Sequence, residues 1–290
     1  MEKKILNLLN LVNNSLLDRN FLDIACLQEQ ADLINEWLES SKKLGNGNVS
    51  NYLWALKSII LIKKKYIESF LLIKNKEYIK AWSLLAALEL DIQFLEQNKE
   101  ELIEETQKRS LIFYKNAVKN WQILFPYKLF FSIGFLVSKN SCSICGKQIT
   151  PRNKCEHKKG KLYNGELCMH IGEMSELREV SLVTNPMDKN CFIQDIDYDY
   201  RVVEYVSNQL IHAYDGWGVH KTKHKWQRSK LDHINKDAVC PCGEMILFKD
   251  CCFDKAEIEL PHFEIFFVNN RKDSLSKATL FLGEKSKDFT

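Results

Sequence analysis

Cys240-Pro241-Cys242-Gly243 followed by Cys251-Cys252 places four thiols within thirteen residues, at the spacing C-x-C-x8-C-C. Borderline-soft Zn²⁺ is held by four thiolates in closed tetrahedral sites, and this density of sulfur fits such a site. A C-x-C pair chelates when the chain turns over the ion. Pro241 supplies a fixed φ and Gly243 a permissive one for that turn. Adjacent cysteines on an extended strand point to opposite faces, so Cys251 and Cys252 are expected on a turn or a helix start. A vicinal disulfide or free thiols are the alternative.

The same stretch resembles the SEC-C zinc motif, the small module at the end of the SecA translocase and of many unrelated bacterial proteins. That family usually carries Ser-Gly-Lys-Lys-Tyr-Lys after the glycine. Here the segment is Glu244-Met245-Ile246-Leu247-Phe248-Lys249, which keeps the aromatic-lysine pair and loses the lysine-rich surface. The resemblance implies zinc binding more than it implies the family's partners.

A second cluster begins at Cys142-Ser143-Ile144-Cys145-Gly146, a C-x-x-C turn closed by glycine, as in a zinc knuckle. Cys155 and His157 complete a set of three cysteines and one histidine, with Cys168 and His170 as alternates. Two zinc ions are therefore expected. Cys26 and Cys191 stand alone and read as packing residues.

The chain has 290 residues and a formal charge of +3, enough length for two or three domains. Bound thiols are deprotonated, so a four-thiolate zinc site carries −2 and a three-thiolate, one-histidine site −1. Filling both brings the formal +3 to zero, and global charge gives no argument for nucleic acid. Asparagines interrupt the N-terminal leucines, so no signal peptide is expected. The longest apolar stretch, Ile123 to Val137, contains Lys128 and is too short to span a membrane. A cytoplasmic, reducing location follows as an expectation, one in which clustered cysteines bind metal rather than pair.

The pattern predicts an α+β protein: an N-terminal all-α helical bundle, a central small β-containing zinc domain and a C-terminal SEC-C-like zinc module. Residues 1 to about 122 show helical spacing only, in about five helices. The first carries Leu6, Leu9, Val12 and Leu16-Leu17; the others span Ile24 to Leu38, Val49 to Ile73, Asn75 to Gln97 and Lys99 to Leu124. No 34-residue repeat is present. Lys63-Lys64-Lys65 reads as a solvated helix face. Beyond Pro126, strands are expected at Leu129–Val137, Leu177–Val183 and His262–Val268, and a helix at Arg201–Tyr214. Val219–Lys236 reads as a basic connector, and the tail as polar and mobile at its end. The expected domains are 1–125, 126–200 with an insertion at 140–170, 201–236 and 237–290.

Phe131-Ser132-Ile133-Gly134-Phe135 and Arg178-Glu179-Val180-Ser181-Leu182-Val183-Thr184-Asn185-Pro186 resemble two motifs of tailed-phage prohead proteases. The resemblance implies a small β-barrel of the herpesvirus-protease type, with Ser132 at the nucleophile position and Glu179 as the acidic member of the triad. It also implies a phage or mobile-element setting. That family's histidine precedes the serine, yet this chain has no histidine before His157. A serine needs a base within reach, supplied here only if His170 or His212 approaches it.

Three functions follow as expectations. The first is a non-enzymatic zinc adaptor that presents a surface to a protein partner, phage-encoded or involved in anti-phage defence. The second is a nucleic-acid binder using Lys158, Lys159 and Lys161 in the insertion and Lys221, Lys223, Lys225 and Arg228 in the connector, with Trp217 and Trp226 for stacking. The third is a prohead-protease-like serine peptidase. Both clusters offer full sulfur-rich shells, whereas catalytic zinc keeps an open position, which weighs against an enzyme.

Overall fold

The computed structural model describes residues 10, 23–102, 104–194, 198–244, 246–269 and 274–281. The helix expected around Leu6–Leu17 and the end of the tail lie outside them. The fold is an α+β mixture, and contacts divide the chain into two compact units, Met1–Ala213 and Tyr214–Thr290.

Among the described residues the first unit opens with four helices: α1 (Ile24–Lys43), α2 (Gly47–Lys74), α3 (Tyr78–Gln97) and α4 (Glu105–Leu124). Their starts are chemically marked. Asp23 caps α1 by accepting from the Cys26 N–H at 3.0 Å, and Asn46 caps α2 by accepting from the Val49 N–H at 3.3 Å. Leu56, Ile59, Tyr66, Tyr114 and Trp121 are fully buried at the centre. The lysine run departs from expectation. Lys64 and Lys65 pair with Glu68 and Asp91, but Lys63 is 0 % exposed. Helix α2 packs against α1, α3, α4 and the later α5 (Arg201–Gln209), and Lys63 lies on a side of it that these neighbours cover. Lys74 closes α5 by donating to the carbonyls of Ser207 at 2.5 Å and Leu210 at 2.6 Å, as a cation at a helix C-terminus does.

After α4 the chain forms β1 (Phe130–Cys142), which pairs antiparallel with β4 (His170–Val183) as a two-stranded ribbon. Both strands run longer than their apolar stretches predict. The cross-strand pairs alternate strictly: Phe131–Leu182, Ile133–Val180, Phe135–Leu177 and Val137–Met174 share one face, while Ser132–Ser181, Gly134–Glu179 and Leu136–Glu176 share the other. Three register irregularities between Gly134 and Lys139 bend the ribbon. Among the described residues this sheet has two strands, and the barrel implied by the prohead resemblance does not form.

Both ends of the ribbon are tied to α3. At its base, Trp82 packs against Phe130 with centroids 6.3 Å apart and donates its indole N–H to the Lys189 carbonyl at 2.7 Å. Tyr127 stacks on Phe192 at 4.1 Å and shares a 2.8 Å hydrogen bond with the Tyr200 hydroxyl. At its tip, the insertion between β1 and β4 carries the hairpin β2 (Leu162–Tyr163) and β3 (Glu166–Leu167). Asn98, the residue after α3, is buried; its side chain donates to the Gly160 carbonyl at 2.7 Å and accepts from the Leu162 N–H at 3.2 Å. Gly165 sits against α1 and α2 at φ +74°, where a Cβ would stand 2.6 Å from Leu38 Cδ1. Asn98→Ala strands two buried backbone groups. It is expected to cost the docked insertion about 2 kcal/mol, read as faster hydrogen exchange at residues 160–168 with α1–α4 unaffected.

The second unit is a three-stranded antiparallel sheet, β5 (Trp217–Gln227), β6 (Glu257–Asn269) and β7 (Ser274–Phe281), in that order. The segment read as a basic connector is therefore mostly strand β5, paired with β6 from Trp217–Phe267 to Gln227–Glu257. Its lysines conceal the strand because they are poor β-formers, and pairing with apolar β6 overrides that preference. The helix expected to reach Tyr214 ends at Gln209. Between β5 and β6 lie a 3₁₀ turn (Arg228–Leu231) and the single-turn helix α6 (Phe248–Cys251).

Candidate metal centres

In the second unit, Cys240 and Cys242 lie on a turn closed by Gly243, at φ +92°, and anchored by the Cys240 N–H donating to the Ile246 carbonyl at 2.8 Å. Helix α6 then presents Cys251 at its last residue and Cys252 at its cap, so the vicinal pair sits at a helix end rather than a start. The four sulfurs lie within 4.8 Å of one another, with Cys242–Cys251 at 3.5 Å and Cys251–Cys252 at 3.6 Å. Four sulfurs at zinc-thiolate bond length define a tetrahedron of edge about 3.8 Å, so this spacing suits an ion of that size. Cys240 and Cys252 also belong to the small core of Leu231, Phe248, Ile258 and Leu260, which makes the cluster part of the unit's interior.

Local charges act on these thiols. Burial pushes the Cys240 thiol up, as do its neighbouring sulfurs. Burial also opposes ionisation of Cys242, but the Glu244 N–H and the neighbouring thiols outweigh it and draw that group down. Lys255 Nζ stands 3.4 Å from Cys252 Sγ, a contact that raises the lysine's own pKa and offsets thiolate charge.

The central cluster forms where the ribbon meets its insertion. Cys142 ends β1, and the Gly146 N–H closes the knuckle on the Cys142 carbonyl at 2.9 Å. Donor atoms of Cys142, Cys145, Cys155 and His157 lie within 4.8 Å of one another. His157 Nδ1 is buried without a hydrogen-bond partner, which suits a ring nitrogen that serves as a metal ligand. Cys168, fully buried, places its sulfur 3.7 Å from that of Cys142, beside the group of four. His170 pairs with Cys142 across the ribbon and is not in the donor group. Burial opposes ionisation of Cys142, but the Cys145 and Ile144 N–H groups and nearby thiols bring it to about 6. Burial and Cys142 raise Cys168 to about 11. The residues of both clusters fit an ion of zinc's size and softness. Cys26 and Cys191 lie outside both clusters.

The remaining predicted site residues separate. Ser132 and Glu179 share the polar face of the ribbon in adjacent pairs. His170 lies ten residues along the same ribbon from the Ser132 position, roughly 33 Å at the rise of a strand, and provides no base. Lys158 and Lys159 are exposed, whereas Lys161 donates to the Gln97 carbonyl and fastens the insertion to α3. Lys221, Lys223 and Lys225 are exposed and share one face of β5. Arg228 is committed elsewhere: it donates to the Phe253 carbonyl at 2.9 Å, lies 4.2 Å over the Phe253 ring and pairs with Asp232. Asn98 and Lys74, which position the insertion and α5, were missed by sequence reasoning because their partners are 62 or more residues away.

No family model, curated protein or solved structure matches this chain. Among the described residues no helix is long and apolar enough to cross a membrane.

Proposed function

We propose that this chain is a zinc-binding recognition protein without catalytic activity, in which two structural ions hold small modules in shape for a protein partner. The observation that carries the reading is the pair of four-donor clusters, rich in sulfur, each drawn together within 4.8 Å. A full thiolate shell leaves no coordination position for substrate. Each ion supplies folding energy to a segment with little apolar interior of its own. His170 lies at the far end of the ribbon from Ser132, and the peptidase reading loses that base.

The expected result is two zinc ions per purified chain, with the cluster thiols resisting alkylation in the native state. Absence of stoichiometric metal, or free alkylation of both clusters, overturns the reading. Affinity capture from phage-infected and uninfected cells, insensitive to salt, identifies the partner. A second reading rests on Lys221, Lys223 and Lys225, which repeat along β5 about every 6.8 Å and offer a row of charge to a single-stranded nucleic-acid backbone. Affinity for an oligonucleotide that falls steeply with salt, and is lost when all three become Glu, favours that reading over the adaptor.

A further inference from the structure

The ribbon formed by β1 and β4 turns a continuous apolar face to water. The eight side chains of the four apolar pairs, from Phe131–Leu182 to Val137–Met174, are each 42 to 64 % exposed. On the opposite face Ser132, Gly134 and Ser181 are half-buried, while Leu136, Glu176 and Glu179 are exposed. A half-buried antiparallel sheet ordinarily shows the reverse, with its apolar face inward. An isolated two-stranded ribbon is also only marginally stable in water. The exposed apolar area is about 750 Å², larger than the roughly 300–600 Å² of the largest patch on a typical monomer.

We propose that this face packs against the same face of a second copy of the chain, about a two-fold axis. Such an interface must be complementary to itself. None of the four apolar pairs carries a charge, so two copies meet without like-charge repulsion. The nearest cation, Arg178 at a register irregularity, is held by Glu176 of the polar face at 3.3 Å. Two copies meeting over the whole face would remove at most roughly 1,500 Å² from water, within the range of about 1,200–2,000 Å² typical of stable interfaces. Aliphatic and aromatic sheet faces stack as paired sheets about 10 Å apart. The ribbon is held at its base by Trp82 and at its tip by Asn98, so little ordering is left to occur on docking.

Sedimentation of the full-length, zinc-loaded protein tests this, independently of its metal content. The expected mass is twice 34.0 kDa. Ile133→Lys combined with Leu177→Lys is expected to return it to the monomer with zinc and helical content unchanged, while Glu179→Lys on the opposite face leaves the dimer intact. If the double substitution disturbs folding, the milder Val180→Ser is expected to weaken dimerisation at least tenfold. A protein that stays monomeric at every concentration overturns the proposal, as does a dimer indifferent to these substitutions. A monomer whose ribbon amides are protected assigns the face to another segment of the same chain. A monomer that floats with phosphatidylcholine vesicles assigns it to lipid, and either outcome overturns the proposal.

Discussion

Chelating the ion from the Cys240, Cys242, Cys251 and Cys252 cluster is expected to abolish hydrogen-exchange protection from Leu231 to Leu260. The core of that segment is Leu231, Phe248, Ile258 and Leu260 together with two of the ligands, Cys240 and Cys252. Four apolar side chains bury on the order of 6–12 kcal/mol of transfer free energy. Structural zinc supplies on the order of 10–16 kcal/mol at neutral pH, a contribution at least as large as that of those side chains. Cys242→Ser should reproduce the loss, because leaving one position to water weakens the site. Exchange that is unchanged by a chelator shown to have taken the metal would refute the argument.

The central site should respond differently. Cys142→Ser is expected to leave α1–α4 folded and to release the insertion between β1 and β4. The helices have their own interior around Trp121, Tyr66 and Tyr114. From residue 143 to 169 the buried apolar positions are Leu162 and Cys168, so the ion and the Asn98 hydrogen bonds carry most of that segment's order. Trypsin reads the difference at Lys154, Lys158 and Lys159, all of which are exposed. Cleavage of a locally opened state follows the opening equilibrium. Losing about 3 kcal/mol of local stability would therefore speed cutting there roughly 100-fold, with the helical circular dichroism signal retained. Equal rates in variant and parent would show that the insertion is ordered without its ion.

The two predictions differ because the clusters differ in what surrounds them, and the sequence shows only part of that. The ligand sets were legible because their members are close along the chain: Cys240 to Cys252, and Cys142 to His157, need only a turn or a knuckle to converge. Helical periodicity between Ile24 and Leu124 was legible for the same local reason. Strand β6 was visible in its apolar core, whereas basic β5 was not, since its conformation is set by the strand beside it. Lys63 was misplaced because a run of three lysines says nothing of how many helices surround one turn of α2.

What the sequence determined by itself was the chemistry available: which side chains can hold an ion, how many ions they suit, and that a helical region precedes strands. Tertiary structure decided the arrangement of that chemistry. It brought Cys168 beside Cys142 from 26 residues away, set His170 at the far end of the ribbon from Ser132 and turned Phe131, Ile133 and Phe135 toward water. Coordination within a short loop depends on bonds and turns the chain encodes locally. The direction a ribbon faces depends on what its two ends are tied to, and those ties at Trp82 and Asn98 cross long stretches of chain that no local pattern records.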